Sequence, residues 1–436
     1  MELIEELWFL KRDLISDDYD RALARLAEEV PMSIHEVPTG TKVWTWTIPE
    51  KWTCQEAYLE TMDGERLIDY ADHPLHVPSY SLPFEGELSR KKLLEHLHVH
   101  ENLRDAIPYN FPYYNRDWGL CATQELRDTL KDERYKVVIR TSFDPGTLKI
   151  GEIFIQGEVE DCFVLAAHLD HPAMVNDDLT GVVVGLDVAR KLLEGRKPHY
   201  SYRILFFPET LGSIAFLSQN EDLIPGMVGG LFLEMLGNDA PHTLQQSFQP
   251  TSHIDNNLAT TFAALLPDSY VGPYRSIIDN DERQFNAPGV RIPMLSISRV
   301  ENPHIPDSRF SPYPEYHSSK DTPEIVSQER LEASRDLVLG LLEAFENDRR
   351  YVINHFKGEI FASGYDLWVD YREDAASHKR LFEIIERCDG SRTVADIAAE
   401  LNAPYEDVWQ IIEKLLEKDL VSLSDFPQNS DPHHKH

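Results

Sequence analysis

Hydrophobic and polar positions change period several times along this 436-residue chain, and each change marks a different kind of element. Over residues 1 to about 30, Leu3, Leu7, Leu10 and Leu14, then Leu23 and Leu26, fall on one face at helical spacing, which predicts a helix. The turn signal VPTGTK follows. From Val43 to about Arg140 the runs VWTWTIP, AYLETMDGERLIDY and YKVVIRTSF are short, aromatic or β-branched, and separated by Gly, Pro and Asp. They predict a β-rich module, with the Asp-Gly of MDGE as a hairpin turn. Apolar runs at 151 to 155, 162 to 167, 203 to 207, 229 to 236 and 292 to 298 then accompany a helical pattern at 181 to 194. Strands alternating with helices predict an α/β sandwich with a largely parallel sheet, closed by the long helix SQERLEASRDLVLGLLEAFEND. Beyond about residue 350, LFEIIERCDGSRTVADIAAELNAPYEDVWQIIEKLLEKDLVSL reads as helix, turn, short helix, turn, long helix and strand. Thr393 and Asp396 form a capping box there, and the order is that of a winged helix-turn-helix.

Charge changes the reading of that last module. The formal net charge is −33, and the helix at roughly 405 to 418 carries Glu406, Asp407, Glu413 and Glu417 against only Lys414 and Lys418. Phosphate binding needs basic groups, so the expected role is protein contact or homo-oligomerisation, with neither nucleic acid nor membrane as partner. The four cysteines, Cys54, Cys121, Cys162 and Cys388, form no CxxC pair, which argues against a disulfide scaffold or a thiolate metal site and predicts a reducing, cytoplasmic setting. MELIEELWFLKRDL reads as a charged amphipathic helix rather than a signal peptide, and no run of 18 apolar residues occurs. The ending DPHHKH belongs to an expected disordered tail, 426 to 436.

The chemistry gathers where apolar runs stop. VLAAHLDHPAMVNDDLTG (164 to 181) ends a buried strand in His168, Asp170 and His171, then delivers Asp177 and Asp178 just before a helix. Open α/β sheets bind ligands at the carboxyl ends of their strands, and imidazole with carboxylate is a ligand set favoured by catalytic zinc. RILFFPETLGS places Glu209 after its strand, LFLEMLG places Glu234 between apolar neighbours, and PEYHSSKDTP places His317 four residues before Asp321. A carboxylate such as Glu234 needs a partner or a metal to offset desolvation. His96, His98 and His100, at i, i+2 and i+4, cannot share one helical face and are not expected to hold a metal.

Taken in order, these residues resemble the clan MH zinc exopeptidases: His168-Leu-Asp170, Asp177-Asp-Leu-Thr-Gly181, Pro208-Glu209-Thr210, Glu234 and His317-Ser-Ser-Lys-Asp321. LDHP, PETLGS and NDERQFNAPG match a bacterial branch of aminopeptidase-like domain proteins. The resemblance implies a three-layer α/β/α sandwich with a mixed, largely parallel sheet over 1 to 40 and 146 to 348. It further implies an inserted β-rich module over 41 to 145 and a winged-helix-like module over 349 to 425. It implies a zinc exopeptidase, most simply an aminopeptidase, acting on a peptide or small amide. Glu209 would be the general base and Asp170 a catalytic neighbour that orients an imidazole. His168 or His171, Asp177, Glu234 and His317 would be the metal ligands. Arg283 or Tyr316, with Asp281, would face the substrate. The family places a second metal-binding carboxylate where this chain has Thr210, so one zinc is expected, with a second site lost or weakened. Which histidine is the ligand stays open, with His171 matching the closer branch. Two other readings are a single-zinc amide hydrolase or cyclase-like enzyme on a small metabolite, and a non-catalytic, metal-stabilised binding protein.

Overall fold

The computed structural model describes residues 1–305, 311–354 and 357–424; the expected tail at 426 to 436 lies outside them. The chain divides into two compact units, one of Met1–Phe248 with Gly272–Asp336, the other of Gln249–Val271 with the residues from Leu337 onward.

The first unit is built on a mixed sheet. Its strands are β1 (Ser33–Pro38), β2 (Thr147–Ile155), β3 (Cys162–His168), β4 (Ser201–Phe207), β5 (Met227–Glu234), β6 (His242–Gln245), the short β7 (Tyr270–Gly272), of which Gly272 alone falls in this unit, and β8 (Met294–Arg299). Their spatial order is β1-β2-β4-β3-β5-β8-β6-β7. β3 runs parallel to β4 and β5, and β5 parallel to β8. The pairs β1–β2, β2–β4 and β6–β8 are antiparallel. All seven residues of β3 are buried, as its unbroken apolar run requires of a central strand covered on both faces.

Alternate side chains separate the two coverings. Val164, Ala166, Leu205, Phe207 and Phe232 share a core with Leu211, Ile214 and Phe216 of the helix Leu211–Gln219. On the other face the helix Leu179–Glu194 presses Gly185 against Phe206 and Leu233. This is the expected α/β/α layering. The inserted module is a four-stranded antiparallel sheet, ordered Arg66–Asp69, Lys51–Thr61, Arg134–Asp144, Phe84–Ser89. Its first hairpin turns at Gly64, whose φ of +89° suits the Asp-Gly turn read from MDGE. Trp52, Leu59, Tyr80 and Val137 of the module join the same core as β3 and β4, so module and sheet are packed as one body.

The second unit holds the helix His253–Leu265 and the helices Ala375–Arg387, Val394–Leu401 and Tyr405–Glu417. A three-stranded antiparallel sheet runs in the order Asp389–Thr393, Arg350–Ile353, Val421–Leu423. Both hydrogen bonds of the Thr393–Asp396 capping box are made. Among the described residues no helix is long and apolar enough to cross a membrane.

The amino-terminal segment departs from the single helix expected. It forms two helices, Glu2–Leu7 and Asp17–Ala27, because Ser16 caps the second by accepting from the backbone N–H of Tyr19. Between them Arg12 is wholly buried and donates to the carbonyls of Leu169 (2.9 Å), Met174 (2.9 Å) and Trp8 (3.1 Å). Burial lowers its pKa to about 10, which leaves it charged at neutral pH. Arg12 thus ties the first residues of the chain to the loop that follows β3. Replacing it with Met should leave those carbonyls buried without donors and cost about 3 kcal/mol or more. Chemical denaturation should show this as a lower midpoint, whereas Arg21→Ala, on an exposed ion pair, should leave the midpoint in place.

Candidate active site

Four strand ends converge on one buried carboxylate. β3 ends in His168, and its following loop carries Asp170, His171 and Asp177; β4 leads to Glu209; β5 ends in Glu234; the loop after β8 brings His317. Asp177 is 1% exposed and sits at the centre. Its Oδ1 lies 3.1 Å from His168 Nε2, while its Oδ2 lies 3.2 Å from His171 Nδ1 and 3.0 Å from His317 Nε2. Glu234 Oε1 completes the first side, 4.0 Å from His168 Nε2. Two groups therefore share Asp177, namely His168–Asp177–Glu234 and His171–Asp177–His317. The sequence left His168 and His171 as alternatives; in the fold they address different oxygens of the same residue.

These donors fit a metal. His168 Nε2, His171 Nδ1, both oxygens of Asp177, Glu234 Oε2 and His317 Nε2 are all buried without a hydrogen-bond partner, a state that native structures avoid unless something else satisfies the atoms. Zinc bonds of about 2.0–2.1 Å in a tetrahedron put ligand atoms about 3.3 Å apart, close to the 3.0–3.2 Å separations around Asp177. Burial alone would push the Asp177 carboxyl up, but the rings of His171, His168 and His317 hold it well below the usual carboxylate range. Glu234 is driven the other way, far above its ordinary value, by burial and the nearby Asp178, Asp177 and Glu282, against the pull of His168. A cation between Glu234 and Asp177 would relieve that repulsion.

The supporting hydrogen bonds explain why the motif residues stand where they do. Asp321 accepts from the backbone N–H groups of Asn176 (2.7 Å) and Asp177 (3.1 Å), and is itself held by the Tyr313 hydroxyl (2.8 Å). Asp178 caps the helix Leu179–Glu194 through Gly181 N–H and also receives Met235 N–H at 2.9 Å. Only glycine fits at 181, since a Cβ there would collide with the Leu233 carbonyl and the Asp178 carboxylate. Asn280 holds Glu234 through its side-chain amide, and its backbone N–H is received by Glu282 at 3.0 Å. His171, Thr210, Met235 and His317 all have positive φ, a conformation that costs free energy in residues other than glycine and concentrates at functional sites.

Glu209 lies beside the metal groups without belonging to either. Its Oε2 is 3.3 Å from His171 Nε2, its Oε1 is 3.7 Å from the Arg283 guanidinium, and it is 21% exposed to the adjoining cleft. Burial raises its pKa, but the His171 hydrogen bond and the charges of His171, His168 and Arg283 bring it to about 2, so it is ionised. Asp170 accepts from Glu209 N–H (2.7 Å) and stands 3.6 Å from His168 Nδ1, so it orients both residues rather than facing the cleft. Asp281 is spent in the same way, accepting from Thr210 N–H (2.9 Å) and the Ser213 hydroxyl. Arg283 donates to Thr210 Oγ1 at 2.9 Å and lines the cleft. Tyr316 stacks on His317 with ring centroids 3.9 Å apart. Burial and the carboxylates of Asp177, Glu234 and Glu209 keep its phenol protonated. Among the described residues His96, His98 and His100 belong to no candidate metal group, although His100 lies near the Tyr316 backbone and His317: His96 Nδ1 faces the Trp118 carbonyl and His100 Nδ1 receives backbone N–H groups.

One wall of the site was missed in the sequence. The inserted module contributes Trp46, Phe111, Tyr113 and Tyr114 to a cleft of about 480 Å³ that Glu209, Thr210 and Arg283 also line. Tyr109 packs against His171 and His317, with centroids 4.9 and 5.2 Å away. Its N–H donates to the His317 carbonyl, and Ile107 and Ser319 exchange further bonds. The signal was present in YNFPYYN (109 to 115), an aromatic run in which Phe111 and Tyr114 stay exposed, as an apolar patch that meets a ligand does.

The family model described as Domain of unknown function (DUF4910) matches residues 1–348. A Clostridium acetobutylicum protein, provisionally described as a polysaccharide biosynthesis protein with an aminopeptidase-like domain, is 31% identical over 427 residues, covering 97% of this chain and 95% of that one. A crystal structure from the same organism, provisionally called a peptidase, superposes with a TM-score of 0.84 at 30% identity, over 97% of this chain and 95% of that one. A zinc aminopeptidase of Bacillus subtilis has a TM-score of 0.57 at 14% identity, over 78% and 93% of the two chains, a likeness of fold.

Asp321 touches no metal-facing atom, yet it holds the backbone of Asp177. Asp321→Ala should keep the fold and lower zinc affinity about 10–100-fold, read by competition with a chromogenic chelator.

Proposed function

Since this chain belongs to the family described as DUF4910, and a relative 31% identical across 97% of it is described as having an aminopeptidase-like domain, we propose that it is a zinc-dependent exopeptidase. The simplest activity is that of an aminopeptidase cleaving a peptide or amide bond. The observation that carries the reading is the buried set of partnerless donors around Asp177 with an ionised Glu209 at its edge, open to the cleft. A binding protein has no use for a carboxylate placed there. His168, Asp177 and Glu234 would hold the metal, which would supply a water of lowered pKa, toward about 7, and polarise the scissile carbonyl.

The remaining steps belong to the chain. Glu209 takes a proton from the attacking water as its oxygen bonds to the acyl carbon, and returns that proton to the nitrogen as the C–N bond breaks. Asp170, through Glu209 N–H, fixes where that carboxylate points. The protonated Tyr316 hydroxyl offers a hydrogen bond to the oxyanion that develops on the carbonyl. Arg283, lining the cleft beside Glu209, meets the substrate. The aromatic wall and a volume of about 480 Å³ suit one apolar or aromatic side chain, or a small acyl group of similar size.

Glu209→Gln separates base from ligand. The variant should keep its zinc and its thermal midpoint while losing about a hundredfold or more in turnover of amino-acid amides with large apolar side chains. Full activity in zinc-loaded Glu209→Gln protein would remove the central residue of this mechanism. Loss of zinc along with activity would instead make Glu209 a ligand.

A further inference from the structure

The position after Glu209 is closed to a metal. Thr210 offers only a hydroxyl, that hydroxyl is already bonded to Arg283 at 2.9 Å, and the guanidinium places a fixed positive charge beside it. A cation would be repelled from the place where the resemblance puts a second carboxylate. On the other flank of Glu209, however, the donors that the single-zinc expectation pooled into one site divide, and His171, Asp177 and His317 form a group of their own.

We propose that His171 takes over that ligand role, so that His171 Nδ1, Asp177 Oδ2 and His317 Nε2 form a second zinc site, with Asp177 bridging to His168 and Glu234. The proposal rests on the hydrolase reading above and deepens it. Three observations carry it. The two rings approach the same oxygen, at 3.2 and 3.0 Å, near the edge length of a zinc tetrahedron. All three donor atoms are buried and lack hydrogen-bond partners. Finally, both rings are held in place from outside the cluster. His171 Nε2 is 3.3 Å from Glu209 Oε2, which leaves Nδ1 as the metal-facing nitrogen, as carboxylate–histidine–metal arrangements do. His317 is stacked on Tyr316 and flanked by Tyr109, whose ring also abuts His171. Both histidines accept positive φ to reach these positions, His171 at 90° and His317 at 52°.

The two sites then differ in kind. The first has one imidazole and two carboxylates, the second two imidazoles and only a share of Asp177. With less negative charge, the second site should hold its metal less tightly and yield it first to a chelator. His171 also becomes the link between metal and base, since its outer nitrogen reaches Glu209.

The test is metal content, read independently of activity. Protein loaded with zinc and desalted should carry two zinc ions per chain by elemental analysis, released in two phases by dipicolinate. His171→Ala should carry one, with its thermal midpoint in zinc-free buffer close to that of the parent. His171→Cys, which supplies a thiolate at the same place, should regain the second. Loading with cobalt should give a visible spectrum whose second-equivalent component disappears in His171→Ala. One zinc in the parent and one in His171→Ala, with the activity of the parent intact, would overturn the second site and leave the hydrolase reading standing. Equal counts of two in both proteins would also overturn the assignment to His171. No zinc in any of them would remove the hydrolase reading itself.

Discussion

A single carboxylate, Asp177, sets the terms for the rest of the first unit. It is enclosed at the sheet's carboxyl edge with an imidazole on one oxygen and two on the other. A charge taken this far from water is tolerable only when opposite charge or a metal replaces the lost hydration. That requirement propagates outward. Asp321 and Tyr313 fix its backbone, Asn176 and Thr180 bind the turn after β5 through Gly237 and Leu236 N–H, and Arg12 clamps the loop from the far end of the chain. Much of the buried polar network in this unit is there to keep one aspartate where it is.

The inserted module changes what that edge of the sheet can do. Its β-structure could have packed anywhere on the surface, yet Tyr109 is bonded to the His317 loop, and Phe111, Tyr113 and Tyr114 continue from it along the cleft. The module therefore supplies both a brace for a ligand and a wall for a substrate. A base such as Glu209 gains from such a wall, because excluding water strengthens each electrostatic interaction inside.

How much of this the sequence disclosed follows from the range of the signals. The strands of the sheet were readable because β3, β4 and β5 are buried on both faces and show as unbroken apolar runs. His168, Asp177, Glu209, Glu234 and His317 were readable because each closes such a run or sits in a Pro-punctuated loop beyond one. What period and motif could not show was partnership at a distance. The roles of Asp170 and Asp281 depend on backbone N–H groups 39 and 71 residues away. Arg12 interrupts what looked like one helix because its acceptors, at Leu169 and Met174, lie 157 and 162 positions further on. Likewise, the choice between His168 and His171 had no answer in one dimension, since the fold turns them toward opposite sides of Asp177.

Four of the positive-φ residues, those beside the metal groups, bear on how the protein would respond to selection for heat resistance. His171, Thr210, Met235 and His317 hold conformations that glycine, and to a lesser degree asparagine, adopt at lower cost. Exchanging any of them for such a residue relaxes the local backbone, but at positions 171 and 317 it also deletes a metal-facing ring. A library screened for thermal survival alone would be drawn to these codons, and its hardiest members would be folded shells with an impaired centre. Ancestors and engineers of this chain alike must seek robustness elsewhere, in the inserted sheet or the outer helices, and leave the strained corner alone.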